Sequence, residues 1–92
     1  MNIIEFADLI EIYIDIRYVP NQKTRFYATI DHGETKDKKE DGILRGTIGN
    51  GNSPILALND LAQSISNKWL IIRAYGDDRQ EYHVPVLSEY MR

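Results

Sequence analysis

The clearest pattern in the chain begins at Ile10, where Ile10, Ile12, Ile14 and Ile16 alternate with Glu11, Tyr13, Asp15 and Arg17. A period of two marks a half-buried strand. Ahead of it, residues 2–8 carry Ile3, Ile4, Phe6 and Ala7 at helical spacing, which predicts a short amphipathic helix dependent on tertiary packing. Residues 19–23 then read as a turn, because Pro20 donates no ladder hydrogen bond and Asn21 tolerates turn dihedrals. Alternation resumes over residues 24–31, with Phe26, Ala28 and Ile30 opposed to Arg25, Tyr27 and Thr29. The two runs are expected to pair as an antiparallel hairpin.

Residues 34–41 are dense in charge, with acids and bases nearly cancelling, and read as a solvated loop. A third strand is expected over about 42–48, through Leu44 and Ile48. A helix start follows. Ser53 can accept from a free N–H of the first turn, and Pro54 suits the first helical position because its missing donor costs nothing there. Ile55, Leu58, Leu61, Ala62 and Ile65 then form one stripe, and Ser66-Asn67 ends the helix. Two further strands are expected over about 68–75 and 80–86, joined by Gly76-Asp77-Asp78. Residues 88–92 read as a frayed tail. The order α-β-β-β-α-β-β predicts the α+β class: a two-layer sandwich of a mainly antiparallel sheet and one main helix, with residues 1–92 as a single domain.

Composition narrows this picture modestly. Ninety-two residues with 42% hydrophobic content suit one folded domain and argue against disorder. The chain holds no cysteine, which excludes disulfides, thiol catalysis and cysteine-ligated zinc. No apolar run approaches the roughly 18 residues of a membrane span. The first six residues have no basic region ahead of an apolar one, so a soluble cytoplasmic protein is expected. The net charge of −3, from 14 acids and 11 bases, is the wrong sign for general phosphate binding.

Two segments carry candidate chemistry. Gly49, Asn50, Gly51, Asn52 and Ser53 precede a helix N-terminus, where backbone N–H groups could converge on an anion. The segment contains no lysine or arginine and fits neither a P-loop nor a dinucleotide fingerprint, so a glycine-requiring strand-to-helix turn is the competing reading. If the isoleucine face of the sheet covers the helix, the opposite face displays Tyr13, Arg17, Arg25, Tyr27, Arg45, Trp69, Ile71, Arg73 and Tyr75. Aromatics interleaved with arginines suit protein hot spots and also base stacking. Glu11, Asp15 and Asp31 on the same face would repel a phosphate backbone and favour a protein. His32 and His83 have no third ligand at a metal-binding spacing, so no cofactor, metal or catalytic residue is expected.

The stretches Ile16-Arg17-Tyr18-Val19-Pro20-Asn21, Phe26-Tyr27-Ala28, Gly49-Asn50-Gly51-Asn52-Ser53-Pro54 with Ala57 and Leu61, Ile65-Ser66-Asn67-Lys68, Arg79 and Val84-Pro85 together resemble a family of short proteins from phages and prophages of Gram-positive bacteria. The resemblance covers nearly the whole chain. The central β-β-α-β pattern is also similar to HicB-type antitoxins, whose partial RNase H-like fold masks an RNA-cleaving toxin. Residues 1–92 contain neither their proline-glycine-rich motif after the second strand nor their DNA-binding extension. The resemblance implies a non-enzymatic accessory protein in the host bacterial cytoplasm, binding a host protein and inhibiting a host process or defence system. Self-association is a further mode, and a nucleic acid or nucleotide is the alternative ligand. Tyr13, Arg17, Arg25, Tyr27, Trp69, Arg73 and Tyr75 are the residues expected to carry binding.

Overall fold

Asn2 opens the first helix in a computed structural model that describes residues 1–91. Its Oδ1 accepts from the Glu5 N–H at 2.9 Å, and Glu5 Oε1 accepts from the Asn2 N–H at 2.9 Å, so each satisfies a donor the helix leaves free. Helix α1 (Ile3–Ile10) buries Ile3, Phe6 and Ala7 and ends at left-handed Glu11, φ 58°. The helix thus takes Ile10 out of the alternating run. Ile10 lies three and four residues beyond Ala7 and Phe6, so it fits the helical stripe as well as the period of two.

The remaining elements are β1 (Ile14–Tyr18), β2 (Phe26–Ile30), β3 (Gly33–Lys36), β4 (Arg45–Gly46), β5 (Gly49–Gly51), α2 (Pro54–Ile65), β6 (Trp69–Ile72) and β7 (Gln80–His83). Two antiparallel sheets result, one ordered β1-β2-β5 and the other β4-β3-β6-β7. The protein is a small α+β sandwich in which both sheets and both helices contribute to one core. Its buried members include Ile3, Phe6, Ala28, Ile30, Leu61, Ile65, Leu70, Ile72 and Val84.

Strands β2 and β3 are separated by Asp31-His32 alone, yet they do not pair with each other. The chain therefore bends there, with His32 left-handed at φ 56°, and passes from one sheet into the other. This corrects the expectation of a loop over 34–41. Gly33 to Lys36 form an inner strand with β6 on one side and β4 on the other. Thr35 and Lys36 are both buried, and Lys36 Nζ meets Glu81 Oε1 at 3.2 Å. A strand of polar residues persists because its ladder and this ion pair satisfy it, which apolar patterning alone does not reveal.

The strand expected over 42–48 is divided between the sheets. Arg45–Gly46 pairs with β3, and Gly49–Gly51 pairs with β2. Thr47 between them is buried, and its Oγ1 accepts from the Ile30 N–H at 3.0 Å. The hydroxyl takes the place of the next ladder acceptor, where β5 has already ended.

Helix α2 begins as its sequence predicts. Ser53 Oγ accepts from the Leu56 N–H at 3.1 Å, and Ala57, Leu58, Leu61, Ala62 and Ile65 are buried. The expected frayed tail over 88–92 is tied down where it is described. Ser88 N–H donates to Met1 O at 2.9 Å, and Asn59 holds both backbone groups of Tyr90, at 2.7 and 3.1 Å. Among the described residues, no helix is long and apolar enough to cross a membrane.

Candidate partner-binding surface

The strand registers decide which side chains share a face. On the first sheet, Ile14, Ile16, Ala28 and Ile30 alternate with Asp15, Arg17, Tyr27 and Thr29, and Arg17 stands opposite Tyr27. Tyr13, 77% exposed, sits just before β1, and exposed Arg25 just before β2. On the second sheet, Leu70 and Ile72 face the core, while Trp69 and Ile71 share the other side with Lys36, Glu34, Glu81 and His83. The aromatic and arginine residues therefore occupy two sheet faces joined at the bend, where a single continuous face was expected.

Ile71 needs a further correction, because it is fully buried instead of displayed. Its neighbours in register are Glu34 and Glu81, and the ion-paired Lys36 and Glu81 close over the same face. Glu81 is also met by Arg79 at 3.0 Å. The hydrogen bond from Lys36, helped by Arg79, holds the Glu81 carboxyl below its ordinary range, against the opposing effect of burial. This pair was missed from sequence. Its only signal was the alternation of Glu34 and Lys36 inside what reads as a charged loop.

Trp69 is half-buried at the start of β6. The His83 ring meets it edge-on at a centroid distance of 5.3 Å, and Lys39 Nζ lies 5.1 Å from its ring centre. Arg73 and Tyr75 lie beyond the other end of β6. Arg73 is left-handed at φ 52°, donates its N–H to His32 O at 3.0 Å and pairs with Asp78 at 2.6 Å. Tyr75 is 91% exposed. Because Asp31 N–H donates to Tyr13 O at 2.9 Å, the bend gathers Tyr13, Asp31, His32, Arg73 and Tyr75 from three separate segments. A shallow cleft of about 370 Å³ beside it is lined by His32, Glu34, Arg73 and Tyr75.

The glycine segment is built differently from an anion cradle. An added Cβ at Gly49 would lie 2.2 Å from Leu61 N, and one at Gly51 would lie 2.6 Å from Ala57 N. Both glycines are therefore required for β5 to lie directly against α2. The Asn50 N–H already donates to Asp60 Oδ2 at 2.8 Å, and the Leu56 N–H to Ser53. A groove of about 710 Å³ runs past Asn50, Gly51 and Asn52 and is lined by Asp60 and Glu89, with no basic side chain among the described residues. The local charge is that of a surface already supplied with carboxylates.

The histidines stand apart. His32 is at the bend, 3.7 Å from the Asp31 carboxylate, whereas His83 pairs with Trp69 at the far end of β6. Three ladder positions, about 10 Å of strand, separate those ends. Among the described residues no three histidine or carboxylate side chains gather as metal ligands. Comparison of the chain with protein-family models, curated proteins and solved structures gives no match.

Proposed function

We propose that this protein acts by binding a protein partner, without catalysis, through the aromatic surface running from the Asp31-His32 bend along β6. Following the resemblance to short phage proteins, the partner is a host protein, and the consequence of binding is inhibition of a host process or defence system.

One observation carries the preference for protein: three cations of the second sheet and its bend are already paired within the chain, and Lys39 lies over the Trp69 ring. Arg73 is held by Asp78, while Arg79 and Lys36 share Glu81. Such paired cations remain oriented donors but are poor neutralisers of a phosphate backbone. Tyr75 and Trp69 supply the large, low-entropy contact area that hot spots use. Tyr13 lies across the bend from Tyr75 and extends this surface.

The test is capture of a defined partner from nuclease-treated host lysate by the wild type, by Trp69→Ala/Tyr75→Ala and by Tyr75→Ala alone. Capture should fall at least tenfold in the double variant, with an unchanged far-UV spectrum. Undiminished capture refutes the reading, and so does binding that vanishes on nuclease treatment or falls steeply with added salt.

A further inference from the structure

Strand β1 is the free edge of the first sheet, and the direction of its backbone groups follows from two hydrogen bonds. Asp31 N–H donates to Tyr13 O at 2.9 Å, and Val19 N–H donates to Arg25 O at 2.6 Å. The odd-numbered residues of this run therefore direct their N–H and C=O groups at β2. Ile14, Ile16 and Tyr18 direct theirs outward, where β1 has no second neighbour among the described residues. The side chains of Ile16 and Tyr18 are also exposed, 39% and 55%, whereas Ile14 packs partly against the core. Asp15 and Arg17 project from the other face, both exposed, and make no ion pair among the described residues.

Two of the other edges are less open: the Asn50 N–H on β5 is occupied by Asp60, and β4 has only two residues. Natural proteins usually protect an exposed edge with a proline, a bulge, charged side chains or a very short strand. The edge Ile-Asp-Ile-Arg-Tyr has no proline or bulge within it, and its two charges, Asp15 and Arg17, are of opposite sign.

We propose that β1 pairs with β1 of a second copy of this chain, antiparallel about a two-fold axis at Ile16. The sequence of the edge is self-complementary in that register alone. Ile16 faces Ile16 and Ile14 faces Tyr18 on one side of the sheet. On the other side Asp15 faces Arg17 twice, once on each side of the axis. Centring the axis on residue 15 or 17 instead sets Asp15 against Asp15, or Arg17 against Arg17.

The backbone phase agrees independently. With the axis at Ile16, residues 14, 16 and 18 form the hydrogen-bonded pairs, and these are the residues whose backbone groups point outward. Asp15 and Arg17 then fall in the non-bonded positions, where Cα atoms approach to about 4.5 Å and cross-strand charges interact most closely. Each β5-β2-β1 sheet continues into its copy as one sheet. A five-residue edge is about 17 Å long, which places the contact among small, reversible interfaces.

The experiment measures mass by sedimentation equilibrium from about 10 µM to 1 mM protein. The wild type should pass from the 10.7 kDa monomer towards twice that mass as concentration rises. Arg17→Asp and Asp15→Arg should each raise the dissociation constant at least about tenfold, because each sets like charges opposite one another twice. Mixing the two variants should restore association, since each then offers the complement of the other, and the double variant Asp15→Arg/Arg17→Asp should restore it within one chain. Circular dichroism checks that these exposed substitutions leave the fold intact. A monomer throughout the range overturns the proposal. So does a dimer indifferent to the single exchanges, or one that neither the mixture nor the double variant recovers.

Discussion

Gly49→Ala separates the two readings of the glycine segment. The new Cβ would stand 2.2 Å from Leu61 N and 2.4 Å from Ala57 O, where ordinary contact begins at 3.4 Å. Both obstacles are backbone, so no side-chain rotation relieves them, and β5 and α2 must separate by roughly 1 Å. A gap of that size forfeits about a quarter to a half of the dispersion attraction across the seam. Overpacking commonly costs about 1–3 kcal/mol, and backbone on both sides puts this case at about 3 kcal/mol or more. For a domain of this size that lowers Tm by roughly 12 °C or more. Gly42 and Gly46 serve as controls, because neither has a positive φ or an atom within 4 Å of an added Cβ. Their alanine variants should stay within about 0.5 kcal/mol of the wild type. Urea unfolding followed by far-UV circular dichroism reads all three. A Gly49→Ala protein as stable as the controls refutes the close-packing argument, and loss of phosphate binding in a stably folded variant would restore the anion reading.

Other outcomes follow from single contacts. Thr47→Val keeps the shape of the side chain but leaves the buried Ile30 N–H without its acceptor, so it should cost about 1–3 kcal/mol in urea unfolding, whereas Thr47→Ser should cost less. Amide exchange at Ile30 should quicken in the valine variant. The Glu81 carboxyl is held below its ordinary value of 4.5, chiefly by Lys36, so its folded-state pKa lies below the unfolded one. Its contribution is therefore complete above about pH 4.5 and lost as pH falls through the lower, folded value. Lys36→Met should flatten that acid segment of a plot of urea midpoint against pH, and an unchanged plot refutes the role assigned to Lys36.

Elements with an apolar stripe and a written terminus were legible in the sequence. Ser53-Pro54 and the run from Leu58 to Ile65 gave α2, and the alternation around Ala28 gave β2, because burial of one face leaves a direct trace in residue order. Strand β3 left no such trace. Glu34 and Lys36 resemble solvated charges until β7 brings Glu81 to Lys36, a contact 45 positions away that local pattern cannot encode. The same limit governed the surface. Alternation correctly sets Arg17 beside Tyr27, but the bend that assigns Trp69 to a different sheet rests on the left-handed backbone of His32. Ile71 was misread for the same reason, since its cover comes from long side chains on two other strands.

The distribution of paired charge gives the two proposed surfaces different characters. On the second sheet Lys36, Arg73 and Arg79 already have carboxylate partners, so an incoming partner meets oriented dipoles and aromatic area. On the first sheet Arg17 makes no ion pair among the described residues, and the β1 register offers it the Asp15 of a second copy. The edge thus supplies self-recognition through charge sign, and the bend supplies area for a different protein. Because Asp15 and Arg17 lie on β1 while Trp69 and Tyr75 lie on or beyond β6, the two activities should be separable by mutation. Trp69→Ala/Tyr75→Ala should leave the sedimentation behaviour unchanged. Asp15→Arg should leave partner capture unchanged when capture is measured below the dimerisation range. If either substitution removes both properties from a folded protein, the edge and the bend form one surface, and the division of roles drawn from their charge pairing is wrong.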